Sequence, residues 1–214
     1  MFYDLIIVAC TKNDYLRDMT QRCIDSVGLG LNVILVETSN EEINYKGVNH
    51  IVRYTGQFRY NHALNQGLQY ATSDVHILAN NDLVFYPGWE IMGEQMIYNG
   101  FDSASAWYRG SRFAQGDYIY EGYDVAVNLT GWCIFITQEA LRKIGKLDDT
   151  LEFWYSDNAY ALQLLEHGLR HGLFCNVRID HLTSQTLRTI TPQMKRRYSH
   201  GSLSIFNKLC EQKK

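Results

Sequence analysis

The sequence predicts an α/β fold in which a mostly parallel central sheet is flanked by helices and followed by a C-terminal helix. Short apolar, β-branched runs alternate with amphipathic stretches in the order strand, helix, strand, strand, helix, strand over residues 5–79. This order is typical of a parallel sheet with crossover helices. Polar clusters follow three of the strands, at the ends where such sheets bind ligands. The clusters are residues 11–13, 37–39 and 80–82.

The first half of the chain contains the clearest elements. Its expected strands are residues 5–9, 32–36, 50–54 and 75–79. The expected helices are residues 15–27 and 60–71, where apolar residues recur at the spacing of one helix face. Gly28 and Gly30 follow the first helix, and glycine commonly ends helices because it adopts the left-handed conformation without strain.

The second half is less regular. The predicted strands are residues 125–129, 133–137 and 173–177. The predicted helices are residues 89–98, 138–144 and 157–167. Thr191 suits the N-cap and Pro192 the first turn of a C-terminal helix that runs to about Cys210. We therefore expect residues 1–187 to form one domain and residues 188–214 to form a basic helical extension of the same domain.

Composition limits the class of protein. The chain has 214 residues, 46% of them hydrophobic and 20% charged, which suits one globular domain. Its N-terminus has no basic region before a short apolar run, and no apolar stretch approaches the ~20 residues of a membrane span. The five cysteines are scattered without a C-x-x-C pair, which argues against a zinc site and a disulfide framework. These features predict a cytoplasmic protein, in the host cytoplasm if it is viral.

Charge is unevenly distributed along the chain. The formal net charge is −3, but residues 188–214 hold seven basic residues against Glu211 alone, so this segment carries +6 and the remainder −9. Such a segment is either a solvated helix face or a surface that contacts phosphates or nucleic acid. The basic residues considered for that contact are Arg188, Lys195, Arg196 and Arg197.

Asn80, Asn81 and Asp82 follow a predicted buried strand directly. A carboxylate at this position faces the crevice beyond the sheet, where it can hold a hard cation that bridges phosphate oxygens. The alternative is a simple turn, because Asn and Asp also favour turns.

Three pairs of segments resemble the family 2 glycosyltransferases of GT-A fold, which is Rossmann-like. The segments are residues 6–11 with 33–39, 58–67 with 76–82, and 131–136 with 153–158. The first pair resembles the family's opening strand and its second strand, which ends in an acid. The second pair resembles the helix with Asn-x-Gly and the Leu-x-Asn-Asn-Asp form of the metal motif. The third pair resembles the family's acceptor-side segment. Together they span residues 4–182.

The resemblance implies roles on the donor side. Thr11 and Glu37 correspond to residues that hold the nucleoside, and Glu37 stands where the family usually has Asp. Asn80 corresponds to the first acid of an Asp-x-Asp motif, whose partner is the ribose. Asp82 and His181 correspond to ligands of a divalent metal, Mn²⁺ or Mg²⁺. The residues implied in nucleotide-sugar binding are Thr11, Glu37, Asn65, Asn80 and Asn81.

The resemblance also implies roles on the acceptor side. Asp157 corresponds to the general base in the family's Glu-Asp pair, with Ser156 in place of the Glu. Asp157 has a structural alternative, because capping and the helix dipole favour an acid at a helix start. His181 could likewise be structural, and Trp132 could belong to the core. The residues implied in acceptor binding are Gly131, Trp132 and Trp154.

The predicted function is a metal-dependent, inverting transfer of a hexose or pentose from a nucleotide diphosphate sugar, of the UDP type, to an acceptor hydroxyl. A metal neutralises the leaving diphosphate as a Lewis acid, and one carboxylate takes the proton of the attacking alcohol. A single base opposite the leaving group predicts inversion at the anomeric carbon. The acceptor is either a saccharide or a hydroxymethylated DNA base, as in some bacteriophage glycosyltransferases, and a duplex target would require base flipping.

Two other classes fit parts of the sequence. A nucleotidyltransferase also places metal-binding acids on an α/β sheet, but residues 9–13 contain no glycine for a phosphate-binding loop. A nucleotide-sugar-binding module without catalysis would keep the fold. The presence of Asp82, Asp157 and His181 argues against it.

Overall fold

The computed structural model describes residues 1–28, 30–182, 191–196 and 202–212. Within these residues, nine strands form one sheet. The strands are β1 (Tyr3–Ala9), β2 (Asn32–Glu37), β3 (His50–Arg53), β4 (Val75–Asn80), β5 (Leu83–Phe85), β6 (Ser103–Trp107), β7 (Ile119–Glu121), β8 (Cys133–Thr137) and β9 (His171–His181). The helices are α1 (Asp14–Val27), α2 (Tyr60–Leu68), α3 (Met92–Tyr98), α4 (Gln138–Ile144), α5 (Ser156–Glu166), α6 (Pro192–Arg196) and α7 (Ser202–Gln212).

The sheet has the strand order β3-β2-β1-β4-β8-β6-β9-β5, and β7 also pairs with β9. β1 is parallel to β2 and β4, and β2 is parallel to β3. Because β8 is antiparallel to both β4 and β6, β6 and its parallel neighbour β9 run in the same direction as β4. Six of the nine described strands therefore share one direction, and β5, β7 and β8 oppose it. This confirms the predicted mostly parallel sheet.

Helices cover both faces of the sheet because its central strands are apolar on both sides. Neighbouring residues of a strand point to opposite faces. Leu5 and Ile7 of β1 join the cluster that includes residues of α1 and α3, whereas Ile6 and Val8 join the cluster that includes residues of α2, α4 and α5. Strands buried on both faces read as continuous apolar runs, which is why β1, β2 and β4 could be predicted.

Two helices show how local sequence sets their position. Asn13 caps α1, because its Oδ1 accepts the Leu16 N–H at 2.9 Å. α2 packs very close to the sheet at Gly67, where a Cβ atom would lie 2.5 Å from Ile6 Cγ2 and 2.9 Å from Val36 Cγ2. Close packing of α2 on the sheet therefore requires glycine at this position of the Asn-x-Gly motif.

The prediction of a strand at residues 125–129 is wrong. The carbonyl of Asp124 accepts the N–H groups of residues 127–129. The chain consequently turns back on itself, and Val125 and Leu129 meet only in an isolated bridge.

Three strands do not follow from the sequence pattern. β5 and β7 have three residues each, which is too short for a pattern, and β6 reads Ser-Ala-Ser-Ala-Trp, with small residues in place of β-branched ones. At the C-terminal end, α6 and α7 are helical as predicted, while residues 197–201 and the expected domain boundary after residue 187 lie outside the described residues. No helix in the described ranges is long and apolar enough to cross a membrane.

Candidate active site

The carboxyl ends of β1, β2, β4, β6 and β9 lie at one edge of the sheet, because these strands share a direction. The chain order switches at β1, which has β2 on one side and β4 on the other. Ligands of open α/β sheets bind at such a switch point, beyond the carboxyl ends of the strands. Thr11 follows β1, Asn80 ends β4 and His181 ends β9. The fold therefore brings these predicted residues to the same edge.

Asp82 and His181 lie side by side at this edge. β5 pairs with β9 so that Leu83 is opposite His181, and this register brings His181 Nε2 to 3.0 Å from Asp82 Oδ1. His181 Nε2 is buried and makes no hydrogen bond with the described residues, so its contact with Asp82 has the distance of an ion pair without the angle of a hydrogen bond. Trp132 stacks on the imidazole, with ring centroids 5.3 Å apart.

These two side chains fit a divalent cation. A carboxylate oxygen suits Mn²⁺ and Mg²⁺, and the buried His181 Nε2 atom is available as a second ligand. Adjacent ligands in an octahedron with bonds of ~2.05 Å lie ~2.9 Å apart, which is close to the separation of these two atoms. No group of three or more His, Cys, Asp or Glu residues that could hold a metal occurs in the described part of the chain. Mg²⁺ usually keeps several water ligands, so two protein ligands are compatible with its coordination.

The two asparagines before Asp82 make contacts with different helices. The Tyr60 hydroxyl of α2 donates to Asn80 Oδ1 at 2.8 Å. Asn81 Nδ2 donates to Thr20 Oγ1 of α1 at 2.9 Å, and Asn81 is buried. Asn81 thus holds the loop of residues 80–82 against α1. Asn80 lies beside Tyr60, a residue that the sequence pattern did not single out.

Thr11 and Glu37 join the loops that follow β1 and β2. Glu37 is fully buried, and its carboxylate accepts hydrogen bonds from Thr11 N at 3.0 Å, Thr11 Oγ1 at 2.8 Å and Ser39 N at 2.8 Å. Thr11 Oγ1 also lies 2.6 Å from the Tyr45 hydroxyl. Glu37 therefore fixes the shape of both loops, and its contact with the nucleoside stays a prediction. Tyr45 lies in an irregular stretch that carried no sequence signal.

Asp157 lies in the first turn of α5, next to Gly131. Tyr155, just before α5, has a φ of 67°, a left-handed conformation that is uncommon for a bulky residue and is concentrated at functional sites. Asp157 Oδ1 accepts the Asn158 N–H at 3.0 Å, and burial raises the pKa of the Asp157 carboxyl. A Cβ atom on Gly131 would lie 2.5 Å from Asp157 Cβ and 2.7 Å from Asp157 Oδ2. Any larger residue at position 131 would displace the carboxylate.

A pocket opens beside the Asp157 side chain. Its lining includes Tyr60, Leu64, Gly131, Ser156, Asp157 and Tyr160. Tyr60 connects this pocket with the Asp82–His181 contact. Its side chain lines the pocket, and its hydroxyl donates to Asn80, two positions before Asp82.

Two asparagines on one face of α2 fix the surroundings of the pocket. Asn61 Nδ2 donates to the carbonyl of Asp148 at 2.7 Å and to that of Ser156 at 3.3 Å, which holds the start of α5. Asn65 exchanges two hydrogen bonds with the Leu147 backbone, at 2.9 Å and 3.0 Å. The Asn65 side chain thus has a structural role, and its contact with the nucleotide sugar stays a prediction. Asn61 was missed, although its spacing of four residues from Asn65 places both on the same helix face.

Two of the residues expected to bind the acceptor, Trp132 and Trp154, are aromatic. Trp132 lies between the stacked His181 ring and Tyr108, which meets it edge-on at 5.3 Å. The indole N–H of Trp154 is buried without a hydrogen-bond partner among the described residues. Aromatic faces with a polar rim suit a sugar ring or a base. The acceptor-binding role of Trp132, Gly131 and Trp154 stays a prediction.

The basic C-terminal residues are only partly described. Lys195 and Arg196 are exposed on α6, and Arg188 and Arg197 lie outside the described residues. The helix α7 contacts the site, because Phe206 stacks on Tyr155 with ring centroids 5.3 Å apart and an interplanar angle of 15°.

Comparison with known proteins gives the class of fold. No protein-family model matches the chain, and no curated protein matches its sequence. Among solved structures, its fold matches a crystal structure of the glycosyltransferase GalNAc-T7 with UDP, GalNAc and Mn²⁺. The TM-score is 0.66 and the sequence identity 14%, over 84% of this chain and 43% of that chain. The chain thus spans less than half the length of that glycosyltransferase, and the likeness confirms a GT-A fold.

Proposed function

We propose that this chain is a metal-dependent glycosyltransferase that moves a sugar from a nucleotide diphosphate sugar, of the UDP type, to an acceptor hydroxyl with inversion. The observation that carries the proposal is the arrangement of one sheet edge. There, the buried His181 Nε2 atom, which has no hydrogen-bond partner among the described residues, lies 3.0 Å from Asp82 Oδ1. Tyr60 links this pair to the pocket of Asp157. The fold likeness to GalNAc-T7, which was solved with UDP and Mn²⁺, supports the same conclusion.

The donor would bind between the loops after β1 and β4. Asp82 and His181 would hold Mn²⁺ or Mg²⁺ beside the diphosphate, where the cation supplies a Lewis acid for the leaving group. The Thr11–Glu37 contact fixes the loops around the nucleoside. Asn80 borders the ribose position, with its Oδ1 atom already occupied by the Tyr60 hydroxyl.

Asp157 would act as the general base. As the acceptor oxygen forms its bond to the anomeric carbon, the acceptor proton moves to the Asp157 carboxylate, and the bond from that carbon to the diphosphate oxygen breaks. The raised pKa of the buried carboxyl makes Asp157 a stronger base than an exposed Asp. Attack from the side opposite the leaving group gives inversion.

The acceptor is a saccharide or a hydroxymethylated base in DNA. The Trp132–Tyr108 pair offers apolar faces to either ring. In the DNA version, the chain is a bacteriophage DNA-modifying enzyme that works in the host cytoplasm. The basic residues Lys195 and Arg196 would then lie against phosphates, and the stacking of Phe206 on Tyr155 supports a C-terminal extension within the same domain.

Mass spectrometry of products tests the proposal. The enzyme is incubated with Mn²⁺ and a panel of nucleotide sugars, against saccharides and hydroxymethylated DNA as acceptors. We expect one donor to give a product with the mass of one added sugar. Binding of UDP without transfer or donor hydrolysis across the panel would establish a binding module instead. Transfer of a nucleotidyl group, seen as a different mass increment, would establish a nucleotidyltransferase.

A further inference from the structure

A buried polar network connects the two walls of the Asp157 pocket. Its members are Tyr160, Ser103, His171, Ser105 and Thr130, none more than 2% exposed. The Tyr160 hydroxyl lies 2.7 Å from Ser103 Oγ, and Ser103 Oγ lies 2.8 Å from His171 Nδ1. His171 Nε2 lies 3.3 Å from Ser105 Oγ, which accepts the Thr130 N–H at 2.9 Å.

The direction of these hydrogen bonds follows from one carbonyl group. His171 Nε2 also lies 3.3 Å from the Asn128 carbonyl oxygen, which can only accept. Nε2 must therefore carry the proton, and Nδ1 accepts from the Ser103 hydroxyl. Ser103 Oγ in turn accepts from the Tyr160 hydroxyl. Burial lowers the pKa of His171 to about 4, so the ring is neutral at pH 7.

The two ends of the buried polar network meet at the candidate base. Tyr160 lies one helical turn after Asp157, and both line the same pocket. Thr130 directly precedes Gly131, where an added Cβ atom would lie 2.5 Å from Asp157 Cβ. One end of the network thus holds the helix that carries Asp157, and the other end holds the backbone against which Asp157 packs.

We propose that the buried polar network sets the separation of Gly131 and Asp157, which makes His171 a positioning residue for the Asp157 carboxylate. The inference rests on the proposed role of Asp157 as the base. A hydrogen bond lost at either end would shift the carboxylate relative to the acceptor. Displacement by about 1 Å can cost about 10²-fold in rate, so a partial displacement should cost about tenfold.

The first test removes one hydroxyl from each end of the network. Tyr160→Phe and Ser105→Ala should each lower kcat about tenfold while KM for the donor and the dissociation constant of UDP with Mn²⁺ stay unchanged. The double variant should cost about as much as either single variant, because both act through the same separation. The control is Tyr123→Phe, which loses a hydrogen bond of 2.8 Å to the Leu169 carbonyl at the far end of α5. Its kcat should equal that of the wild type.

The second test does not depend on activity. In amide NMR spectra, the Gly131 signal should shift in Tyr160→Phe, although no hydrogen bond joins Tyr160 to Gly131 directly. It should stay in place in Tyr123→Phe. An unmoved Gly131 signal in Tyr160→Phe, or an equal shift in the control, overturns the positioning proposal even if the chain transfers no sugar. A moved Gly131 signal in a chain without transferase activity supports the network and rejects the proposed function alone.

Discussion

Three carboxylates at the candidate site show how burial and hydrogen bonding separate the roles of similar residues. Glu37 accepts three hydrogen bonds and is fully buried, so it fixes loops. Asp82 lies beside the buried His181 Nε2 atom, which has no hydrogen-bond partner among the described residues, an arrangement that suits a cation. Asp157 accepts the Asn158 N–H and has a raised pKa, which suits a base. Sequence position alone, directly after a strand or at a helix start, does not distinguish these roles.

The sequence could mark Asp82, Asp157 and His181 as candidates through local patterns and the family resemblance, and their roles stay predictions. It could not predict Tyr60 and Asn61, because their roles depend on contacts with segments far along the chain. Tyr60 reaches Asn80, and Asn61 reaches Asp148 and Ser156. For the same reason, the sequence did not indicate the contact of Asn65 with the distant Leu147 backbone.

Asp82→Asn should abolish metal-dependent transfer. An amide oxygen can still occupy the position, but it lacks the charge that holds a hard cation. A loss of several kcal/mol in transition-state stabilisation corresponds to at least about 10²-fold in rate. Calorimetric titration with Mn²⁺ in the presence of UDP should show a lost binding isotherm for the variant. The control is Asp25→Asn, an exposed carboxylate on α1. Full wild-type activity in excess chelator would contradict the metal site.

Asp157→Asn should lower kcat by about 10²–10⁴-fold and leave UDP affinity intact, because the amide cannot accept the acceptor proton. Since only the ionised carboxylate is a base, wild-type kcat should fall as the pH drops through the pKa of Asp157. Burial places that pKa above its ordinary value. Steady-state rates across pH and UDP titrations measure both effects. A folded variant with the wild-type rate would leave Asp157 as a helix-start residue only.

At the scale of elements, the strands that could be predicted are those covered on both faces. β1, β2 and β4 are continuous apolar runs, because helices cover each side. β6 is just as buried, but it consists mainly of small serines and alanines. Both of its serines, Ser103 and Ser105, belong to the buried polar network. A strand whose interior carries hydrogen bonds in place of apolar packing lacks the usual β-strand pattern.

His171 joins β6, β9 and α5 and should make stability depend on pH. Its pKa is about 4 in the folded chain and about 6.5 in an unfolded chain. Between these values the unfolded state binds a proton that the native state does not, so stability is complete above pH ~6.5 and falls as the pH drops towards 4. The full loss is about 3 kcal/mol. Urea unfolding at pH 7.5 and pH 5 should show about 2 kcal/mol of this loss, because it is complete only below pH 4. His171→Asn should show a smaller difference between the two pH values, and an equal difference would contradict this assignment.

At the scale of the whole molecule, six strands of one direction bring their carboxyl ends to a common edge. The convergence of Thr11, Asn80 and His181 at that edge follows from topology and was predictable from the order of elements. The placement of β9 beside both β6 and β5 was not predictable, because long-range pairing leaves no local signal in the sequence.

The basic C-terminal segment should distinguish the two acceptor classes. If it contacts DNA phosphates, duplex affinity falls steeply with salt, because bound counterions are released. Replacing Lys195, Arg196 and Arg197 with Gln should then reduce the salt slope by up to ~3 units. The charge-matched control replaces three exposed residues around the end of α4 with Gln. They are Arg142, Lys143 and Lys146.

Fluorescence anisotropy with a labelled duplex at two salt concentrations measures these slopes. An equal reduction in the control would mean that any positive charge on the chain acts alike. Absence of binding at the lower salt concentration would remove DNA as the acceptor and leave a saccharide.

The register that places Leu83 opposite His181 also has a consequence for folding kinetics. Asp82 and His181 are 99 positions apart in the chain, and no local turn can bring them together. Closing so long a loop is entropically costly, and sheets built from distant strands fold slowly. The two side chains proposed as metal ligands therefore meet only when β9 docks between β6 and β5. If they bind the proposed cation, a nascent chain gains that affinity only after His181 has been synthesised.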